Sequence, residues 1–317
     1  MGKYIREISI FLLLVVLCIV TTTQSPQFLS PINLQNMGKL IGIYGIFSIG
    51  VALVIITGGI DLSIGSLFAL LGVLLSIALM EKKWNPVLAV GGVLGFSVVL
   101  GWVHSVLITR VKLQPFIVTL CALLLYRGLA QYIAHDETKG FGMAPGFEWL
   151  KTLANGLSFG VPNTFLLLIL VAIAATILLH YSVYGRHLFA VGRNEEATRF
   201  SGINTNRVIG TAYVLCSLLA GVAAILLAFF TNSISPSSHG NSYELYGIAA
   251  AVLGGCSLRG GEGTIIGVLL GTALLQVLQN LVIMLGIPSS LNFAVVGAVI
   301  LIGVIIDRLL SRRAASR

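Results

Sequence analysis

Charge is what this chain has least of. Its 317 residues include 19 Lys and Arg and 11 Asp and Glu, so only 9% are charged. A soluble domain carries about 25%. That shortfall excludes a soluble domain as the bulk of the molecule. Several motifs are missing too. There is no Gly-x-x-x-x-Gly-Lys-Ser/Thr phosphate loop, so ATP is not bound by that means. There is no His-Glu-x-x-His, and the five histidines are dispersed without metal-ligand spacing. Cys18, Cys121, Cys216 and Cys256 form no Cys-x-x-Cys pair, which argues against a metal site or a disulfide framework. No Ser/His/Asp set suggests itself. The chain is expected to be no enzyme, with no cofactor and no metal.

What fills the chain instead is apolar sequence. Hydrophobic residues make up 57%, in runs that follow one another almost end to end. The expectation is a single all-α, polytopic membrane domain over residues 1–317. The net charge of +8 sits in short loops between apolar runs. That pattern suits loops kept on the cytoplasmic side of a membrane, not a nucleic-acid surface.

The chain is organised around Ile49 to Leu79. The apolar stretch from about Leu40 is too long for one crossing, because roughly 20 residues span a bilayer. Gly58-Gly59 and Asp61 interrupt it, so two helices with a break between them are expected. Asp61 and Ser63 would begin the second helix and cap its free N–H groups. A second break, Gly254 to Gly263, begins with the pair Gly254-Gly255. Each break follows an incoming helix and opens into one rich in small residues. They read as corresponding elements of two related halves.

In order, the spacing predicts helices over about Ile8–Val20, Met37–Thr57, Ser63–Met80, Val87–Ile108, Pro115–Ile133, Thr164–Tyr181, Val208–Phe230, Glu244–Leu253, Thr264–Leu285 and Ser290–Ile306. That is about ten crossings. The first resembles a signal peptide but lacks a small-x-small cleavage site, and is kept as a helix. Gly38 and Gly42, Gly91 and Gly95, and Gly263, Gly267 and Gly271 recur at four, which permits close helix approach. Ala134 to Asn163 and Thr231 to Tyr243 read as external loops. The segments placed inside hold Lys3, Arg6, Arg110, Lys112, Arg186, Arg193, Arg199, Arg207, Arg259, Arg308, Arg312, Arg313 and Arg317, thirteen of the nineteen cations. Both termini are therefore expected in the cytoplasm.

Three places carry possible chemistry. Asp61 is either a pathway residue, accepting substrate hydroxyls or gating, or else a helix cap or an acid at the inner interface. Arg127 snorkels to the outer interface, pairs with an acid on another helix, or lines the pathway. Gly192-Arg193-Asn194-Glu195-Glu196-Ala197 to Gly202 is either a solvated loop or a short helix. In the second case Asn194 caps it, the two acids suit its first turn and Gly202 stops it. Ala197 and Phe200 would then offer a small apolar knob to a soluble partner.

Several motifs resemble the membrane permeases of ribose-type ATP-binding cassette importers. They are Gly58-Gly59-Ile60-Asp61-Leu62-Ser63-Ile64-Gly65-Ser66, Phe116 to Leu120, Tyr126-Arg127-Gly128-Leu129-Ala130, Gly185-Arg186 with Ala190 to Ala197, Ser201-Gly202-Ile203, Ala250 to Gly255, Ser257-Leu258, Gly260-Gly261 and Gly263-Thr264. The resemblance covers nearly the whole chain. It implies the ten-helix architecture of vitamin B12-type importer permeases. It also implies a second permease chain, cytoplasmic ATP-binding subunits, an extracytoplasmic sugar-binding protein and residence in the bacterial inner membrane. Residues Gly192 to Gly202 would be the coupling helix that receives the ATPase motion. One departure is Arg193, where the family often has a second glycine. The alternative that the residues leave open is an ion-driven transporter of a small polar solute, using Asp61 and Arg127. A third is a membrane scaffold that transports nothing.

Overall fold

The computed structural model describes residues 2–142 and 145–288, with positions 291, 294, 295, 297, 298 and 301 beyond them. Most of the expected last helix, Ser290–Ile306, and all of the arginines after it lie outside the described residues. Among the described residues the chain is almost entirely helical: α1 Gly2–Gln24, α2 Pro31–Ile56, α3 Ile64–Ser76, α4 Pro86–Thr109, α5 Pro115–Ala134, α6 Glu148–Asn155, α7 Asn163–Thr176, α8 Val183–Arg193, α9 Glu195–Phe200, α10 Thr205–Thr231, α11 Tyr243–Leu253 and α12 Ile265–Met284. The last turns of the α3 and α7 rods widen into π turns over Ile77–Glu81 and Ile177–Tyr181. Eight of these rods are long and apolar enough to cross a membrane, and α11 is a shorter apolar helix.

The core forms around α2, which packs against α7, α10, α11 and α12. A helix that is apolar on all sides belongs inside a bundle. Accordingly almost every residue from Ile43 to Ile56 is buried. α10 forms the second spine, against α4, α2 and α3. α1 is the opposite case. It packs on α12 and leaves Phe11, Leu12, Val16 and Ile19 exposed, the surface that lipid solvates.

The small residues divide. A Cβ on Gly42 would strike the backbone of Thr164, and one on Gly45 would strike Leu168, so α2 and α7 touch because these positions are glycine. Gly267 and Gly271 likewise admit the backbone of α11 at Gly254 and Ala250. Gly91 and Gly95 do not behave as their spacing predicts. Nothing in the chain lies within 4 Å of a Cβ at either.

Residues 134–163 are more than a loop. α6 buries Leu150 and Ala154 against the bundle, and a hairpin pairs Leu157 with Pro162 and Ser158 with Val161. Phe141 stacks on Phe229 at 4.0 Å between ring centroids.

Candidate functional site

Both breaks end their helices in the same way. After α2, the Gly58 N–H donates to the Ile55 carbonyl at 2.8 Å and the Gly59 N–H to the Val54 carbonyl at 3.1 Å. After α11, Gly255 donates to Val252 and Cys256 to Ala251, each at 2.9 Å. These paired bonds satisfy the last carbonyls of each helix and need a left-handed residue, which Gly58 (φ 83) and Gly255 (φ 91) supply. The breaks also touch, since the Gly261 N–H donates to the Ile56 carbonyl at 2.9 Å. α2 and α11 therefore run in the same direction and end at the same face. Tyr44 and Tyr243, some three turns back from each break, meet hydroxyl to hydroxyl at 3.0 Å.

Gly192 sits where the breaks meet. A Cβ there would overlap the Ile56 carbonyl oxygen and the Gly261 nitrogen. A Cβ on Gly260 would press within 2.9 Å of the Gly58 nitrogen and 2.7 Å of the Gly192 oxygen. Four glycine backbones from three chain segments are thus in contact with no side chain between them. Arg193 follows at once, its stem against Gly261.

From this junction α8 leads into α9. The predicted short helix is present over Glu195–Phe200. The Asn194 side chain accepts the Ala197 N–H at 2.8 Å, both acids lie in the first turn, and Gly202 (φ 82) ends the turn that follows. Glu195 takes a hydrogen bond from Thr205 at 3.2 Å, with Lys112 at 4.0 Å. Glu196, Ala197, Arg199 and Phe200 are exposed, and Phe200 is 79% so. α1 begins on this same face, because Glu7 accepts from Thr264 at 2.6 Å.

Asp61 lies inside the bundle. It is fully buried, and its Oδ1 accepts from the Ser63 N–H at 2.9 Å and the Ser63 hydroxyl at 2.7 Å. Ser63 thus turns back to Asp61 and does not cap α3. The Oδ2 atom faces His104 Nδ1 on α4 at 3.9 Å, and both atoms are buried without a hydrogen-bond partner. His104 Nε2 and the Tyr126 hydroxyl are hydrogen-bonded at 2.9 Å. Sequence reading missed His104 and Tyr126. No signal in the sequence pointed to them, because His104 meets Asp61, and Tyr126 meets His104, only once the helices pack.

Arg127 does not snorkel. Its guanidinium donates to the carbonyls of Pro236 at 3.0 Å, His239 at 2.9 Å and Gly65 at 3.4 Å. On the other flank of Gly65 lies the Glu244 carboxylate. Charge and counter-charge thus bracket one backbone position. The arrangement gathers Gly58, Gly192 and Arg193 with Gly260 and Gly261 at one junction, while Gly59 and Gly255 end their helices beside it, Asp61 and Ser63 follow the first break, and Arg127 holds the start of α3 through Gly65.

A bundle of lipid-length helices, with two broken helices meeting beside a projecting amphiphilic turn, defines a polytopic transport protein. Residues 33–304 match the family described as branched-chain amino acid transport system / permease component. The chain belongs to that family, as a non-catalytic membrane component of an ATP-binding cassette transporter. It is 36% identical over 304 residues to the ribose import permease protein RbsC of Escherichia coli K12, covering 96% of this chain and 94% of that one. It is 38% identical over 306 residues to RbsC of Bacillus subtilis 168, covering 96% and 93%. The fructose import permease protein FruF of Bifidobacterium longum is 30% identical over 306 residues, covering 93% and 85%. No solved structure matches.

Proposed function

We propose that this chain is the pathway-forming subunit of an ATP-driven importer that brings a monosaccharide across the bacterial inner membrane. The observation that carries the proposal is the near full-length similarity to ribose and fructose import permeases. Two permease chains of the vitamin B12-type architecture enclose the path, each a single membrane domain. Cytoplasmic ATP-binding subunits drive it, an extracytoplasmic binding protein delivers the sugar, and both termini face the cytoplasm.

The geometry supports a route for the motion. α9 is the docking element, with Glu196, Ala197 and Phe200 exposed to the ATPase and Asn194 holding its first turn. A push on α9 moves α8. The end of α8 bears through Gly192 and Arg193 on Ile56 and Gly261, so both breaks feel the same displacement. With backbone against backbone there is little slack to absorb it. α2–α3 and α11–α12 then shift together, which exchanges one open side for the other.

The test is charge reversal at the docking turn, Glu195→Lys with Glu196→Lys. Uptake of labelled sugar should be lost while the variant still inserts and melts like the parent. Normal uptake by that double variant rules out the coupling assignment.

A further inference from the structure

The serine-rich stretch between α10 and α11, expected as an external loop, packs along α3 and α5. α11 has 11 residues. At 1.5 Å each it rises about 16 Å from the junction, roughly half of the ~30 Å hydrocarbon core. Residues 232–242 must therefore cover the other half without a helix. Contacts along the bundle agree. Ile234 pairs with Lys139 beyond the far end of α5, and Gly240 lies against Gly65, the second residue of α3. A Cβ on Gly240 would meet the Gly65 oxygen at 2.6 Å and Phe68 at 2.8 Å. Arg127 holds the descending stretch through the carbonyls of Pro236 and His239.

Irregular backbone at membrane depth survives only where protein buries it or water lines it. Protein buries one side of this stretch, where Ile234, Pro236 and Gly240 face inward. The other side carries Ser237, Ser238 and Asn241, all exposed. Lipid cannot hydrogen-bond these groups, and leaving them in hydrocarbon is costly. A separate observation concerns His239, whose Nε2 is buried without a partner in the same stretch.

We infer that Ser237, Ser238 and Asn241 form a polar wall of the translocation path near mid-membrane, hydrogen-bonding the hydroxyl groups of a passing polyol. Arg127 is the positioning residue that pins the wall. This inference rests on the transport reading above and adds where in this chain the solute passes. Hydroxyl and amide groups suit neutral sugars, since they donate and accept without imposing a charge.

The test is cysteine accessibility in the assembled transporter in native membranes, with Cys18 and Cys121 replaced by Ser. Ser237→Cys, Ser238→Cys and Asn241→Cys are treated with 2-sulfonatoethyl methanethiosulfonate, which does not cross lipid. Ile173→Cys, on the exposed face of α7 at similar depth, is the lipid-facing control. The expected result is labelling of the three positions faster than the control by an order of magnitude, with uptake by each variant falling once it is modified. Labelling no faster than Ile173→Cys overturns the inference. Fast labelling with uptake unchanged by modification also overturns it, and leaves the transport reading standing. Labelling needs no substrate, so it is read even where no sugar is moved; an absence of sugar uptake by the unmodified transporter would count against the transport reading alone.

Discussion

Two glycines show how differently the same residue type can matter. Gly192 is wedged against Ile56 and Gly261 with no room for a methyl. Gly192→Ala forces the backbones apart, and overpacking of this kind costs about 1–3 kcal/mol. The melting temperature of the purified variant should fall, and uptake should fall further. Gly91 meets nothing within 4 Å. Gly91→Ala should leave stability equal or raise it by roughly 0.5–1 kcal/mol, the helix-propensity difference. Asp61 allows a comparable pair. Asp61→Asn keeps an oxygen for the Ser63 N–H, whereas Asp61→Leu strands that buried donor and the Ser63 hydroxyl. The second change should cost about 1–3 kcal/mol more than the first by thermal melting. Sequence reading found Asp61 because an acid in an apolar run stands out. It could not find His104, which is 43 positions away (104 minus 61) and becomes a neighbour only when α3 and α4 pack.

At the scale of elements, α9 is six residues long and depends on its cap. Removing the Asn194 side chain as Asn194→Ala costs about 1 kcal/mol at such a position, while Asn194→Asp retains the acceptor. Uptake by Asn194→Ala should drop and uptake by Asn194→Asp should not, with equal melting of the membrane bundle in both. An equal loss in the two variants contradicts a docking role for the turn. The segment after α5 offers a pH test. Lys139 donates to Glu81 at 3.1 Å and Glu137 at 3.2 Å, and these bonds hold its ammonium above the usual lysine range. A raised lysine contributes fully below its unfolded pKa and loses that contribution as pH rises through the folded value. Lys139→Met should therefore lower stability slightly near neutrality, where that contribution is fully present, and flatten the alkaline loss. The helices themselves were legible because length and apolar run are one-dimensional signals. The stretch from Thr231 to Tyr243 was not. Ser, Pro and Asn have the same composition in a solvated loop and in a segment packed against helices, and composition carries no packing. α6 escaped for a related reason: its 8 residues lie in a polar segment and bury only Leu150 and Ala154.

Across the whole molecule, one face gathers the start of α1, both breaks and α9, and the opposite face carries the hairpin and α6. The two-half organisation anticipated from paired glycines appears locally, in matching helix ends that touch. The parallel run of α2 and α11 follows from that contact and could not be read from one sequence. The shared junction makes sense of why these halves meet where they do. One short segment, Gly192–Arg193 at the end of α8, reaches both.

The most direct measurement is purification of the tagged chain from its native membranes in mild detergent, followed by sugar uptake in vesicles reconstituted with whatever accompanies it. The account predicts a stoichiometric ATPase subunit, and uptake of ribose or a related monosaccharide that requires ATP and the binding protein and survives an ionophore. A chain that purifies alone and moves solute on an ion gradient would contradict it, and would transfer the chemistry to Asp61, His104 and Arg127.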